Sequence, residues 1–221
     1  MNRITTLMSA MHGQRLTPDR TRFPRRVRWT SFVLALVALA GCASIIYPPA
    51  SSQGQAVTAP KVAVTRQAVI PGTPEEVFRF IAAEDVLPKV LTGYGPLPAV
   101  LRTSENTGPW DRPGSARRIH LADGSTVREQ ITDHDGPRFF AYRVWEFGNP
   151  ILRRLADEAH GEWTFAAAPG GTLVTWTYTF TAKNSLAAVP LSGIAKWLWR
   201  GYMDVCLDNA VRIMGDPASR S

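Results

Sequence analysis

Residues 173–180 read "LVTWTYTF", with Val174, Trp176, Tyr178 and Phe180 alternating against Thr175, Thr177 and Thr179. Strict alternation sends successive side chains to opposite faces of a strand, so this stretch has one apolar face and one hydroxyl face. The same period of two runs through "GSARRIHLADGSTVREQITDHDGPRFFAYRVWEF" (114–147) and "HGEWTFAAAPGGTLVTWTYTFTA" (160–182). Turns fall at Asp123-Gly124, Asp135-Gly136-Pro137 and Pro169-Gly170-Gly171, short enough to force antiparallel hairpins. The period is helical on both sides of this block, in "TPEEVFRFIA" and again from Leu191 to Met214. A curved antiparallel sheet must bury one face, and a long terminal helix is the obvious cover. The expected fold is therefore α+β, with a space enclosed between sheet and helix.

Alternation also assigns faces. Val127, Glu129 and Ile131 share the inner face of one strand; Phe140, Tyr142 and Val144 share that of the next. Trp163 and Phe165 join the inner set, and Ile119 and Leu121 bring Arg117 with them. Residues 61–70 alternate through Val62 and Val64, then reach Val69 or Ile70 by a phase slip. Thr73 is placed to cap a helix that starts at Pro74, where Glu75 and Glu76 complement the helix dipole. "LPKVLTGYGPLPAV" (87–100) reads as a short helix and a loop, and "GNPILRRLADEA" (148–159) interrupts the strands. At 100° per residue the last helix carries one charged stripe: Lys196, Arg200, Asp204, Asp208 and Arg212. Arg200–Asp204 and Asp208–Arg212 can pair along it. Leu191, Ala195, Leu198, Trp199, Tyr202, Cys206 and Ile213 face the sheet, whereas Trp197 falls on the charged side, exposed or against residues 148–158.

A carboxylate on an inner face is costly unless paired or hydrated, which singles out Glu129. It can bridge to Arg117, orient a ligand, or act as an acid or base. Buried tyrosine hydroxyls need partners, so Tyr142, Tyr178 and Tyr202 are further candidates. With Arg117, Trp163, Trp176, Leu198 and Trp199 these residues form the expected ligand-binding set, although the aromatics also serve as ordinary core. His160 and Glu162 are two apart and would share a strand face as an acid–base couple, making Glu129 and His160 the weak catalytic candidates. His134 sits at a hairpin turn and reads as solvated. No GxSxG elbow, Walker A loop or GxGxxG occurs, and the histidines show no metal spacing. No metal and no cofactor are expected.

The formal charge of +7 belongs to the leader. Residues 1–41 contain seven arginines and one acid, while the chain from Cys42 onward has 18 Lys+Arg and 17 Asp+Glu. Nonspecific nucleic-acid binding needs several phosphates neutralised together, so a nearly neutral body gives no reason to expect it. The leader has an Arg-rich start, an apolar run from Phe32 to Ala40 and small residues at the break, as a secretory signal does. "LAGC" (39–42) resembles the lipobox of bacterial lipoproteins, which implies lipidation of Cys42 as the mature N-terminus. The alternative is an uncleaved anchor, since Trp29 to Tyr47 holds no charge and is nearly long enough to cross a bilayer. Either reading tethers the body in the cell envelope, facing the periplasm. Ala43 lacks the Asp of an inner-membrane retention signal, which favours the outer membrane. Cys206 is then left alone, without an intrachain disulfide. Residues 42–60, rich in Pro, Ser and Gln, read as a flexible tether, 61–214 as the domain and 215–221 as a tail.

"TPEEVFRFIA", "DGSTVREQITDHDGPRFFAYRV", "GEWTF…GGTLVTWTYTF" and "WRGYMDVCLDNAVRIM" together resemble the helix-grip superfamily of START-like and Bet v 1-like (SRPBCC) proteins, grouped with polyketide cyclases and lipid transporters. The resemblance covers residues 61–214. It implies a sheet wrapped on a C-terminal helix and a cavity for lipids or other apolar molecules. The expected function is binding of a hydrophobic small molecule or lipid by a membrane-tethered lipoprotein. A cyclase- or hydrolase-type enzyme on this fold is one alternative. The other is a non-catalytic envelope module whose residue Trp197 and segment 149–159 contact a partner.

Overall fold

The computed structural model describes residues 58–216. The signal, the lipid-bearing Cys42, most of the tether and most of the tail expected from the sequence lie outside them. Alternation in the sequence becomes alternation in space. Along β7 (Gly171–Ala182) every second side chain is buried, Val174, Trp176, Tyr178 and Phe180 among them, with the threonines between. The other strands are β1 (Lys61–Ile70), β2 (Val100–Ser104), β3 (Ala116–Leu121), β4 (Thr126–Asp135), β5 (Phe139–Trp145) and β6 (Ala156–Ala168). All pair antiparallel in one sheet of order β1-β7-β6-β5-β4-β3-β2. The expected hairpin turns lie between β3 and β4, β4 and β5, and β6 and β7, with Gly124 and Gly170 at φ 81° and 86°.

Helix α1 (Pro74–Ile81) starts where its cap places it. Thr73 accepts from the Glu76 amide at 3.3 Å and Glu76 returns a bond to the Thr73 amide at 2.8 Å. Two short helices follow, α2 (Leu87–Val90) and α3 (Pro150–Leu155), the latter capped by Asn149. The C-terminal helix spans 31 residues in three parts: α4 (Ser185–Ile194), a π turn (Ala195–Trp199) and α5 (Arg200–Gly215). Met203, Cys206, Leu207 and Ala210 pack into the same core as the inner faces of the strands. This is the helix-grip architecture, and its core and all its strand pairings lie within residues 58–216.

Five local expectations are corrected. First, β1 has no phase slip: Val62, Val64, Arg66, Ala68 and Ile70 share one face, and Val69 is exposed. Arg66 is tolerated there because its guanidinium pairs with Asp204 of α5. Second, Asp204 is therefore not in the solvated i,i+4 pair with Arg200. Third, the terminal helix starts at Ser185 rather than Leu191. Asn184 caps it by accepting from the Ala187 amide at 2.9 Å, and Pro190 lies inside it. Fourth, strand β6 begins at Ala156, so the interruption is shorter than 148–159, and β2 is an additional strand. Fifth, His134 is only partly solvated: its ring packs edge-on to Phe78 at 5.3 Å, and its Nε2 is buried without a hydrogen-bond partner among the described residues.

One glycine is required by packing. Gly161 lies opposite Tyr142 on β5, and a Cβ added to it would sit 2.0 Å from Tyr142 Cζ. The Tyr142 ring thus lies flat across the β6 backbone. Gly161→Ala is expected to destabilise the domain by about 1–3 kcal/mol, as overpacking does. The cost should shrink in a Tyr142→Ala background, which a double-mutant cycle of urea unfolding midpoints would measure.

Candidate functional site

The sheet curves away from the helix at its centre, and the two do not meet everywhere. A cavity of about 120 Å³ remains between the concave face, the C-terminal helix, α2 and the loop at Leu97-Pro98. One buried water needs only roughly 10–15 Å³, so this is room for a ligand rather than a packing defect. Its wall holds eight residues singled out in the sequence: Arg117, Glu129, Tyr142, Trp163, Trp176, Tyr178, Trp199 and Tyr202.

Each side chain is placed by its element. Trp163 on β6 and Trp176 on β7 are cross-strand partners and stack with ring centroids 4.4 Å apart, inclined by 12°. Trp176 Nε1 donates to the Tyr142 hydroxyl at 3.1 Å, which fixes Tyr142 above Gly161. Trp199 comes from the π turn and lies 4.6 Å from the Tyr178 ring. Tyr202 donates to the Pro98 carbonyl at 3.0 Å, so it ties the helix to the loop that closes one wall. Among the described residues the Tyr178 hydroxyl has no hydrogen-bond partner.

Arg117 and Glu129 face each other across β3 and β4 and are both buried. Glu129 Oε2 accepts from Arg117 Nε at 2.8 Å and lies 2.7 Å from Nη2. Arg117 also donates to the Glu84 carbonyl at 3.3 Å and rests over the Trp110 ring, 3.6 Å from its centroid. The guanidinium is thus enclosed on several sides, while Glu129 Oε1 keeps no protein partner among the described residues. Burial lifts the Glu129 carboxyl above its ordinary value, outweighing the pull of Arg117. Burial, followed by the nearby Glu129 charge, pushes Tyr142 and Tyr178 well above the usual tyrosine range. Both tyrosines therefore remain protonated hydrogen-bonding groups near neutral pH.

Two sequence candidates lie elsewhere. Leu198 is half-buried and does not line the cavity, because the π turn adds residues per turn and rotates it off the face extrapolated at 100°. His160 is on the outer face of the sheet, and its Nε2 lies 3.0 Å from Glu158 rather than meeting Glu162. It is separated from the cavity by the sheet itself. Trp197 is exposed and its ring lies near the Lys196 ammonium. Residues that alternation could not find also line the wall: Trp110, from the irregular "GPWDRPG" loop, and Phe147, beyond the end of β5. Cys206, read as a small buried hydrophobe, lines it too, and burial pushes its thiol up so that it stays neutral. Among the described residues no cluster of three or more His, Cys, Asp and Glu could hold a metal.

An antiparallel sheet gripping one long helix around an apolar cavity defines a helix-grip, Bet v 1-like domain. The chain belongs to the family described as "Polyketide cyclase / dehydrase and lipid transport", which matches residues 61–215. No curated protein sequence matches it. Among solved structures it is similar to XoxI of Bacillus cereus, at 21% identity and TM-score 0.52, covering 70% of this chain and 96% of that one. Norcoclaurine synthase of Thalictrum flavum, in complex with dopamine and hydroxybenzaldehyde, is 9% identical with TM-score 0.51, covering 71% and 88%. The major latex-like protein 151 of Panax ginseng is 15% identical with TM-score 0.51, covering 69% and 96%. The likeness extends over nearly the whole of the XoxI and ginseng chains.

The raised Glu129 pKa has a definite sign for stability. The folded carboxyl binds its proton more tightly than the unfolded one, so folding is favoured below the unfolded value. This contribution is lost as pH rises from about 4.5 through the raised folded value. Urea unfolding across that window should show wild-type stability declining relative to Glu129→Gln, with a constant difference at lower pH.

Proposed function

We propose that this domain binds a compact hydrophobic molecule carrying one hydrogen-bonding oxygen, in the cavity beneath the C-terminal helix. The observation that carries the reading is a partly open, largely apolar cavity whose wall presents a Tyr178 hydroxyl and a Glu129 oxygen that have no hydrogen-bond partner among the described residues. Such a layout buries a ligand's carbon skeleton and leaves a few convergent polar groups to orient it. The volume of about 120 Å³ favours a molecule of one or two rings over an entire diacyl lipid. The norcoclaurine synthase structure, with small aromatic molecules bound on a similar fold, supports the same size class. The acid–base reading loses one of its two candidates with His160 outside the cavity, and Glu129 is held by Arg117, so binding is favoured over catalysis.

The same proposal includes tethering. Cleavage before Cys42 and its lipidation would hold the domain in the cell envelope on residues 43–60, at the outer membrane. The support is the full "LAGC" match after an Arg-rich start and an apolar run.

Two measurements test these parts separately. Titration of residues 58–216 with 2-naphthol, followed by tryptophan fluorescence, should show saturable binding. Tyr178→Phe should weaken it about fivefold, the worth of one neutral hydrogen bond, and leave naphthalene binding unchanged. No uptake of either probe would sink the cavity reading. In bacteria fed radiolabelled palmitate, the full chain should incorporate label and partition into detergent. Cys42→Ala should abolish both, and persistent labelling of that variant would refute lipidation at this residue.

A further inference from the structure

The C-terminal helix has one face in the core and another with no partner among the described residues. Ala187, Leu191 and Ala195 are buried against the sheet side. On the opposite side Leu186, Val189 and Trp197 are 85%, 74% and 71% exposed. With exposed Pro190 and Gly193 they recur at i, i+3, i+4, i+7 and i+11, a single stripe along the helix. Ile151, 59% exposed, adds to it from α3, which packs beside α4. Single exposed apolar side chains are normal, whereas four large ones on two adjacent helices make a patch that calls for a partner.

Charge identifies the kind of partner. No acidic residue occurs from Lys183 to Met203, or from Phe147 to Ala156. Those segments supply exposed Arg153, Arg154, Lys196 and Arg200, none of which has an ion-pair partner among the described residues. The acids that flank those segments are engaged elsewhere: Asp157 by Lys183 at 2.6 Å, Asp204 by Arg66, and Glu146 at 3.9 Å from Arg118. An apolar helical stripe containing Trp and bordered by unpaired Lys and Arg has the make-up of a surface that lies in a membrane interface. Its rings and aliphatic groups sit at the acyl boundary while the basic heads meet anionic headgroups.

We propose that the outer face of residues 185–200, together with α3, docks on an anionic lipid surface. Leu186, Val189 and Trp197 enter the headgroup region, and Arg153, Arg154, Lys196 and Arg200 face the lipid charges. This contact is non-covalent, independent of lipidation at Cys42, and separate from the cavity reading.

The test uses residues 58–216, which contain the whole core and lack Cys42. Flotation with phosphatidylcholine vesicles, with and without phosphatidylglycerol, should show binding only where phosphatidylglycerol is present, and release at high salt. Val189→Asp and the pair Lys196→Glu with Arg200→Glu should each weaken binding at least tenfold. All of these positions are exposed, and near-ultraviolet circular dichroism confirms that the variants remain folded. Thr177→Asp, on the far face of the sheet, and Tyr178→Phe, in the cavity, should leave vesicle binding unchanged. Absence of binding to anionic vesicles would overturn the proposal and point to a protein partner for this face. Binding unaffected by the helix substitutions would overturn it equally.

Discussion

A seven-stranded curved sheet has more apolar surface on its concave side than one helix can cover. That mismatch in width governs the domain. The strands must turn large side chains inward to fill the gap, which is why tryptophans, tyrosines and phenylalanines crowd β5, β6 and β7. Where even these do not reach, a cavity remains. Gly161 serves the same need from the other side: removing a side chain from β6 makes room for Tyr142 to lie across the backbone. The Arg117–Glu129 pair sits on this wall too. Its desolvation is offset only in part by mutual attraction, by the Glu84 carbonyl and by the Trp110 ring. The cavity is therefore a product of the fold's geometry, and its polar points come from strands whose register is fixed on both sides.

Much of this was legible because the side-chain period of a strand is two and shifts only at bulges, such as the one after Ile131 in β4. Alternation placed Arg117, Glu129, Tyr142, Trp163, Trp176 and Tyr178 on the inner face without knowledge of the pairing. Thr73 with Glu76 announced a helix start for an equally local reason. What could not be read depends on partners distant in sequence. Arg66 falls on the inner face of β1, and nothing nearby in sequence signals Asp204, which neutralises it. Leu198 was misplaced because one π turn upsets an extrapolation at fixed angle, and no residue in "AKWLW" marks that turn. Trp110 lies in a Pro- and Gly-rich loop with no period at all. The last helix begins six residues before Leu191, where Asn184 supplies the cap.

The π turn carries two tryptophans on opposite sides, as residues i and i+2 lie on any helix. Trp199 lines the cavity and Trp197 is exposed to solvent. One helical segment therefore forms part of the cavity wall and part of the unpartnered outer stripe. Any movement of these residues would be felt on both sides of the helix.

The pairing of β1 with β7 sets the order in which the domain can fold. Val62 lies opposite Phe180, so the first strand synthesised finds its partner only after almost every other element exists. Loop-closure entropy and high contact order make such pairings late and slow. During synthesis β1 remains without its ladder, and the central strands can form hairpins well before it joins them. Because Arg66 on β1 bonds to Asp204 on α5, the terminal helix cannot complete its contacts until the same moment. The first strand and the last helix of the domain thus depend on each other to complete their contacts.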